Sequence, residues 1–403
     1  MSKLFQSVEL APRDPILGLT EQYNADTRPN KINLGVGVYY DDAGRVPLLR
    51  CVHKVEVERV QAQLAHSYLP IEGLANLNRG TRELVLGKDH EAIKSGRCVT
   101  VQSIGGTGAL KIGADYLRAL LPDAKVAISR PSWENHRALF EKAGFEVLEY
   151  PYYNQSTHGL DIDGMLTFLK GMPAKSIVVL HACCHNPTGV DPTLEQWTQI
   201  AQVVQERDLV PFMDIAYQGF GDGLNEDAAA VRLFAEMGLN CLISTSFSKS
   251  FSLYGERIGA LTLVTDSADE AARVLSQVKR VIRTNYSNPP TFGGAIVAEA
   301  LNNPALFAMW DEELAEMRQR IKTMRSELVR KLRENGIDMN FDFVLSQKGM
   351  FSYSGLTTAQ VDKLREDHAI YAISSGRICV AALNTKNIDT IAEAVATVIK
   401  TCR

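Results

Sequence analysis

A lysine set among small hydroxyl residues is the first place in this chain where residue type and spacing point to chemistry. Ser246-Phe247-Ser248-Lys249-Ser250-Phe251-Ser252-Leu253-Tyr254-Gly255-Glu256-Arg257 follows the apolar run Leu239 to Ile243. The lysine amine attacks a carbonyl once its pKa, ordinarily about 10.4, is lowered by burial or by a neighbouring cation. Ser246, Ser248 and Arg257 add hydroxyls and a planar guanidinium suited to a phosphate dianion. Together they offer what a Schiff-base site for a phosphorylated aldehyde needs. Alone, Ser-x-Ser-Lys is better read as a solvated lysine in a polar turn; the rest of the chain reverses that preference.

Asp214 ends the apolar run Val210-Pro211-Phe212-Met213, so a carboxylate is delivered to the tip of a buried strand. Unpaired, it would be costly there, whereas a protonated pyridine nitrogen would pair with it and keep the ring an electron sink. Tyr217, three residues on, can donate a phenolic hydrogen bond. After the strand pattern Ser176 to Leu180 comes His181-Ala182-Cys183-Cys184-His185-Asn186-Pro187-Thr188-Gly189, whose Asn186 occupies a tight turn and can donate to an oxyanion. Two cysteines and two histidines also suggest a metal. Adjacent Cys183 and Cys184 on an extended segment point to opposite faces, and neither C-x-x-C nor H-x-x-x-H spacing is present, so no metal is expected and the histidines read as core or supporting residues. Gly105-Gly106-Thr107-Gly108 opens a helical pattern running through Ala119, and free N–H groups at such a start can cradle a phosphate. It reads equally as a helix that merely begins with glycines.

These side chains need elements to position them. Strand patterns at Lys125 to Ser129, Glu146 to Tyr150, Ser176 to Leu180, Leu209 to Asp214, Leu239 to Thr245 and Ile258 to Val264 alternate with helical ones, including Asn135 to Lys142, Leu194 to Arg207 and Asp227 to Glu236. That alternation is the signature of a mostly parallel α/β sheet covered on both faces, with ligands at the carboxyl ends of its strands. Lys31 to Tyr40 alternates as a further strand; its Gly35-x-Gly37 lacks the third glycine of a dinucleotide fingerprint. A helix is expected from about Pro47 to Ala65. Pro304 to Glu334, with Leu314, Met317, Ile321, Met324, Leu328 and Leu332 three or four residues apart, reads as one long helix bridging two domains. Beyond it, strand patterns near Gly349 to Ser354 and Arg377 to Ala382 and helices at Thr358 to Asp367 and Asn387 to Lys400 describe a second, smaller α/β domain.

The totals agree with a globular enzyme and exclude little else. The 403 residues are 45% hydrophobic and 22% charged with a net charge of -4, which gives no basic bias toward nucleic acid. No run of 18 apolar residues suggests a membrane span, and the first residues lack the apolar core of a signal peptide. Seven cysteines without regular spacing fit free thiols in a reducing cytoplasm. Apolar Leu4, Phe5, Val8 and Leu10 precede Pro12 and Pro15, and this arm is expected to pack on another subunit.

Asn186-Pro187-Thr188-Gly189, Asp214-x-x-Tyr217, Ser246-x-Ser248-Lys249, Arg257 and the Arg377 of Ser374-Ser375-Gly376-Arg377-Ile378 jointly resemble the signature set of class I pyridoxal-phosphate aminotransferases. Ala216-Tyr217-Gln218-Gly219-Phe220-Gly221 and Gly349-Met350-Phe351-Ser352-Tyr353 are more similar still to the bacterial aromatic-amino-acid (tyrosine) members of the aspartate aminotransferase subgroup. The resemblance implies the fold type I architecture, with a seven-stranded sheet. It places an arm at 1–15, a small domain at 16–46 with 315–403, and a large cofactor-binding domain at 47–314.

It also implies roles. Lys249 would bind pyridoxal 5'-phosphate and shuttle a proton, Asp214 would pair with the ring nitrogen, and Tyr217 and Asn186 would contact the ring oxygen. Trp133 would stack on the ring; without the resemblance it reads as an ordinary core tryptophan. Gly106, Thr107, Ser246, Ser248 and Arg257 would receive the phosphate, joined by Tyr68 from the other subunit of a homodimer. Arg377 would bind the substrate α-carboxylate, near Gly37, Trp133 and Asn186, and Arg283 of the other subunit would bind a distal carboxylate. Tyr40 and Val46 stand where aspartate-specific members carry lysine and threonine, while Thr107 and Asn288 keep the aspartate-type choice. The implied activity is ping-pong transfer of the amino group of tyrosine and phenylalanine, which are favoured, and of aspartate, which is also accepted, to 2-oxoglutarate. The alternatives are a dedicated aspartate aminotransferase and, from another class, a ligand-sensing regulator on the same fold. A decarboxylase or lyase fits less well, because Arg377 would hold the carboxylate that a decarboxylase must release.

Overall fold

A computed structural model of the chain describes residues 4–11 and 16–402. Seven strands form one sheet in the order Cys98–Ile104, Ile258–Val264, Cys241–Ser246, Val210–Ile215, Ile177–His181, Lys125–Arg130 and Glu146–Pro151. Ile258–Val264 runs antiparallel to both neighbours, and every other pair is parallel. The central parallel strands are buried almost throughout, as both faces of such a sheet must be covered. Their register sets His181 beside Asp214 and Asp214 beside Ser244. The reversed strand has its own consequence: its amino end lies with the carboxyl ends of the others, so Arg257, the residue before it, reaches the same edge.

Six strand patterns fall within two residues of their observed bounds. The seventh strand, Cys98–Ile104, escapes the pattern because it carries Thr100, Gln102 and Ser103, all buried and all satisfied. Thr100 pairs with Thr262 at 2.9 Å, Gln102 accepts from Leu74 N at 3.0 Å and donates to Pro290 O at 2.8 Å, and Ser103 donates to Gly105 O at 2.9 Å. The strand expected from Lys31 to Tyr40 shrinks to Ile32–Asn33, paired in parallel with Ile370–Tyr371. Past Asn33 the backbone turns to other partners: Tyr39 N donates to Tyr254 Oη at 2.9 Å and Tyr40 N to Ala381 O at 3.1 Å. Arg377 to Ala382 likewise divides into the strand Arg377–Cys379 and a short 3₁₀ turn, Val380–Ala382.

The helix Pro304–Glu334 forms over the full expected length, with Pro304 in its first turn and Asn303 Oδ1 accepting from Ala305 N and Leu306 N. Its stripe from Leu306 through Leu332 is buried, as a one-sided helix requires. The same helix reaches the chemistry. Trp310 Nε1 donates to Ser250 O at 2.7 Å and the Trp310 ring stacks on Phe251 at 4.4 Å, pinning the turn that carries Lys249. Glu313, also buried, accepts from Arg50 N and Cys51 N at 2.6 and 3.1 Å and so caps the helix Arg50–Ala62.

Of the arm, Leu4, Phe5, Val8 and Leu10 are exposed, while Pro12 and Pro15 lie outside the described residues. All seven cysteines are free thiols, and no helix among the described residues is long and apolar enough to cross a membrane.

Candidate active site

Where the strands end at the carboxyl edge of the sheet, a cavity of about 220 Å³ opens. It gathers residues from widely separated stretches of sequence. Gly106 and Thr107 come from the start of the helix Gly105–Leu120, Trp133 from the residue before the helix Glu134–Lys142, and Asn186 from the turn after Ile177–His181. Asp214, Tyr217, Ser246, Ser248, Lys249 and Arg257 follow, and Gly37 and Arg377 close the remaining side. Tyr68 and Arg283 do not line it. Tyr68 is 94% exposed, and Arg283, near the end of the helix Ala268–Asn285, is exposed and donates from Nη1 to Ser287 Oγ.

Lys249 keeps partial solvent access through the cavity and is otherwise enclosed. Burial, aided by the Arg257 charge and opposed by Asp214, lowers its pKa to about 8, so a neutral amine is available near physiological pH. Its Nζ lies 5.2 Å from the centre of the Tyr217 ring. Burial raises the Tyr217 hydroxyl above its ordinary range, and the phenol stays protonated as a donor.

Asp214, 5% exposed, has a partner that spacing did not reveal. His136 Nε2 donates to Asp214 Oδ2 at 2.9 Å, and Ser132 Oγ lies 3.0 Å from His136 Nδ1, where its hydroxyl can donate and keep the proton on Nε2. Burial pulls the Asp214 pKa up; the hydrogen bond from His136 and the nearby Lys249 charge outweigh it and leave the carboxyl below its usual range. An ionised carboxylate at a strand tip is ready for a protonated ring nitrogen. His181 lines the cavity, and burial drives its pKa well below the ordinary value, next to His185 and His136. Among the described residues neither of its ring nitrogens has a hydrogen-bond partner. His136, His181 and Asp214 bring ligand atoms within 4.8 Å of one another, as do Cys183, Cys184 and Asp227. In the first group the Asp214 oxygen is already taken by a histidine N–H.

The basic groups are held without acids. Arg377, 1% exposed, donates from Nη1 to Asn186 Oδ1 at 3.1 Å and from Nη2 to Gly35 O at 2.5 Å, its Nε has no partner, and no described carboxylate bridges it. Its Cζ lies 4.4 Å above the Phe351 ring, which also lines the cavity. Arg257 donates to Ser248 Oγ at 3.3 Å and to Tyr254 O at 3.0 Å, again with no carboxylate among the described residues. A Cβ on Gly105, whose φ is +67°, would stand 2.6 Å from an Arg257 nitrogen, so glycine there keeps the cradle between helix start and guanidinium open. A planar group with a phosphate at one end, a carbonyl near Lys249 and a basic nitrogen at Asp214 fits these donors and charges.

The sequence profile described as aminotransferase class I and II matches residues 29–395. The chain belongs to this family. It is 60% identical to the aspartate aminotransferase of Pseudomonas aeruginosa over 98% of this chain and 100% of that one. A crystal structure of the aromatic-amino-acid aminotransferase from Burkholderia pseudomallei, covalently bound to pyridoxal phosphate, superposes with a TM-score of 0.97 at 64% identity, covering 99% of this chain and 100% of that one. The aromatic amino acid aminotransferase of Psychrobacter sp. B6, cocrystallised with aspartic acid, superposes equally well, TM-score 0.97, at 45% identity over 98% of this chain and 100% of that one. As an aminotransferase the chain has the fold type I architecture that the resemblance implied, built on the mostly parallel sheet that its strand patterns suggested. His181 and Phe351, which line the cavity, and His136, which stands behind Asp214, are residues to which pattern reading gave no part in the chemistry. Only Phe351 carried a local signal, in Gly349-Met350-Phe351.

Proposed function

We propose that this aminotransferase holds pyridoxal 5'-phosphate and moves the amino group of tyrosine, phenylalanine and aspartate to 2-oxoglutarate. The single observation that carries this reading is the cavity itself: a desolvated lysine, an ionised buried aspartate and two arginines without acids converge on one space. When bound, the cofactor supplies an aldehyde that takes up the amino group and a ring that draws electrons from the substrate α-carbon. The chain's residues do the rest. Lys249, neutral above about pH 8, anchors the cofactor and takes and returns the α-proton. Asp214, oriented by His136, holds the proton on the ring nitrogen, while Tyr217 and Asn186 donate to the ring oxygen and Trp133 covers the ring. Gly106, Thr107, Ser246, Ser248 and Arg257 bind the phosphate. Arg377 receives the α-carboxylate beside Gly37, and its free Nε and lack of an acid support that assignment.

Aromatic and acidic relatives of comparable identity support dual specificity, as do Tyr40 and Val46 together with Thr107 and Asn288. The exposure of Tyr68 and Arg283, and of apolar Leu4, Phe5, Val8, Val60 and Leu64, supports a homodimer in which each subunit lends Tyr68 and Arg283 to the other's cavity. Free thiols support a cytoplasmic enzyme. Pairing of Ile32–Asn33 with Ile370–Tyr371 supports joining 16–46 to 315–403 as the small domain beside a large domain at 47–314 and an arm at 1–15. The test is a visible absorbance band in the purified protein that changes on adding tyrosine or aspartate and returns with 2-oxoglutarate. A chain that binds these amino acids without that cycle would be the ligand-sensing regulator instead.

A further inference from the structure

Arg325 is a buried cation that meets no acid among the described residues. It lies on the buried side of Pro304–Glu334, 2% exposed, among methionines and leucines. Nη1 donates to Val344 O at 3.4 Å, and Nη2 donates to Gly349 O at 2.8 Å and to Phe351 O at 2.5 Å. Burial lowers its pKa to about 10, so it remains charged at neutral pH and carries the desolvation cost. An apolar side chain of similar volume would fill the position without that cost. What it gains is a fixed set of carbonyls.

Those carbonyls belong to the segment that ends in Phe351. Its ring lies 4.4 Å from Arg377 Cζ, stands edge-on to Tyr217 at 5.8 Å, and would come within 2.8 Å of a Cβ on Gly37. Its strand, Phe351–Tyr353, pairs with Arg377–Cys379 so that Tyr353 opposes Arg377 itself. The same segment grips the Asn186 turn, since Lys348 N donates to Gly189 O at 2.7 Å and the Phe351 carbonyl would stand 2.9 Å from a Cβ on Gly189. We infer that Arg325 is a positioning residue for recognition of the substrate carboxylate: by gathering the carbonyls of Val344, Gly349 and Phe351 it fixes the Phe351 ring beneath the Arg377 guanidinium and so fixes the direction in which Arg377 presents its fork. The inference rests on the reading of Arg377 as the carboxylate site.

A double-mutant cycle on the cofactor-loaded enzyme tests it, using the dissociation constant of 3-phenylpropanoate, a carboxylate with no amino group. Arg325→Lys and Phe351→Leu each weaken binding, and the double variant loses at least about threefold less than the product of the single losses, because both act through one ring. The KM of every amino-acid substrate rises in parallel while kcat and the cofactor absorbance stay near wild type. Additive losses overturn the inference, as does an unchanged dissociation constant in Arg325→Lys with only the melting midpoint lowered. Arg325→Gln closes the cycle if the lysine variant does not fold, and failure of both to fold marks the guanidinium as structural and overturns it too. Arg377→Lys separates the two levels. If that variant binds 3-phenylpropanoate as wild type does, the carboxylate reading falls; if it loses affinity while the cycle is additive, only the role of Arg325 falls.

Discussion

Arg377 and Arg283 are both arginines expected to meet a carboxylate, yet the fold treats them in opposite ways. Arg377 is 1% exposed, fixed by Asn186 and Gly35 and packed on Phe351, whereas Arg283 lies on the surface and donates to Ser287. Lys249 and Asp214 side with Arg377 around the cavity; Tyr68 sides with Arg283 in the open. On the reading proposed above, one chain therefore completes the part of the site that would handle what all amino acids share: the amino group, the α-proton and the α-carboxylate. On the same reading the contact to a distal carboxylate is left to a surface residue, Arg283. Desolvation is costly and must be built into a core, while a second subunit can cover a surface group later.

The largest expected effect comes from Lys249. Lys249→Ala removes the only lysine among the described residues that line the cavity, and transamination falls by at least about a thousandfold. Mixing Lys249→Ala with Arg283→Ala subunits sharpens the comparison: heterodimers recover aspartate turnover that neither parent has, because one of their two sites carries neither lesion. Verified heterodimers without recovery would show that Arg283 and Lys249 serve the same subunit's site.

Arg377→Ala comes next, weakening kcat/KM for every amino acid by about 2 to 5 kcal/mol, since it breaks a desolvated charge pair. Arg283→Ala depresses kcat/KM at least about tenfold for aspartate and little for phenylalanine, measured with a keto acid that lacks a second carboxylate. Equal losses for both substrates would erase the contrast between the two arginines.

The smallest effect is read in stability. Lys249 has a folded pKa near 8 against about 10.5 unfolded, so its charge is disfavoured in the native state. In protein freed of cofactor, that penalty is complete below pH 8 and disappears as pH rises through about 10.5. Lys249→Met should therefore be more stable than wild type by on the order of 2 kcal/mol at pH 7, after allowing for partial solvent access, and the advantage should vanish near pH 11. A difference that does not change with pH would mean that the amine is not desolvated.

Much of the site was legible without coordinates because strand-end chemistry is local. Asp214 closes an apolar run, Lys249 sits among hydroxyls, Asn186 stands in a turn, and each follows a strand whose β-branched, apolar residues announce it. Pro304 to Glu334 was legible for the same reason, its stripe and its proline being written within one element. What is local in the chain can be read from the chain. The partners of those residues are not local. His136 reaches Asp214 across 78 positions, and Gly35 meets Arg377 across 342. The strand Cys98–Ile104 hid because its polar residues are satisfied by distant groups, and Arg325 hid in an apolar stripe as one more surface charge. Whether a polar group is solvated, paired or left open for a ligand depends on what surrounds it in space, and that only the tertiary structure decides.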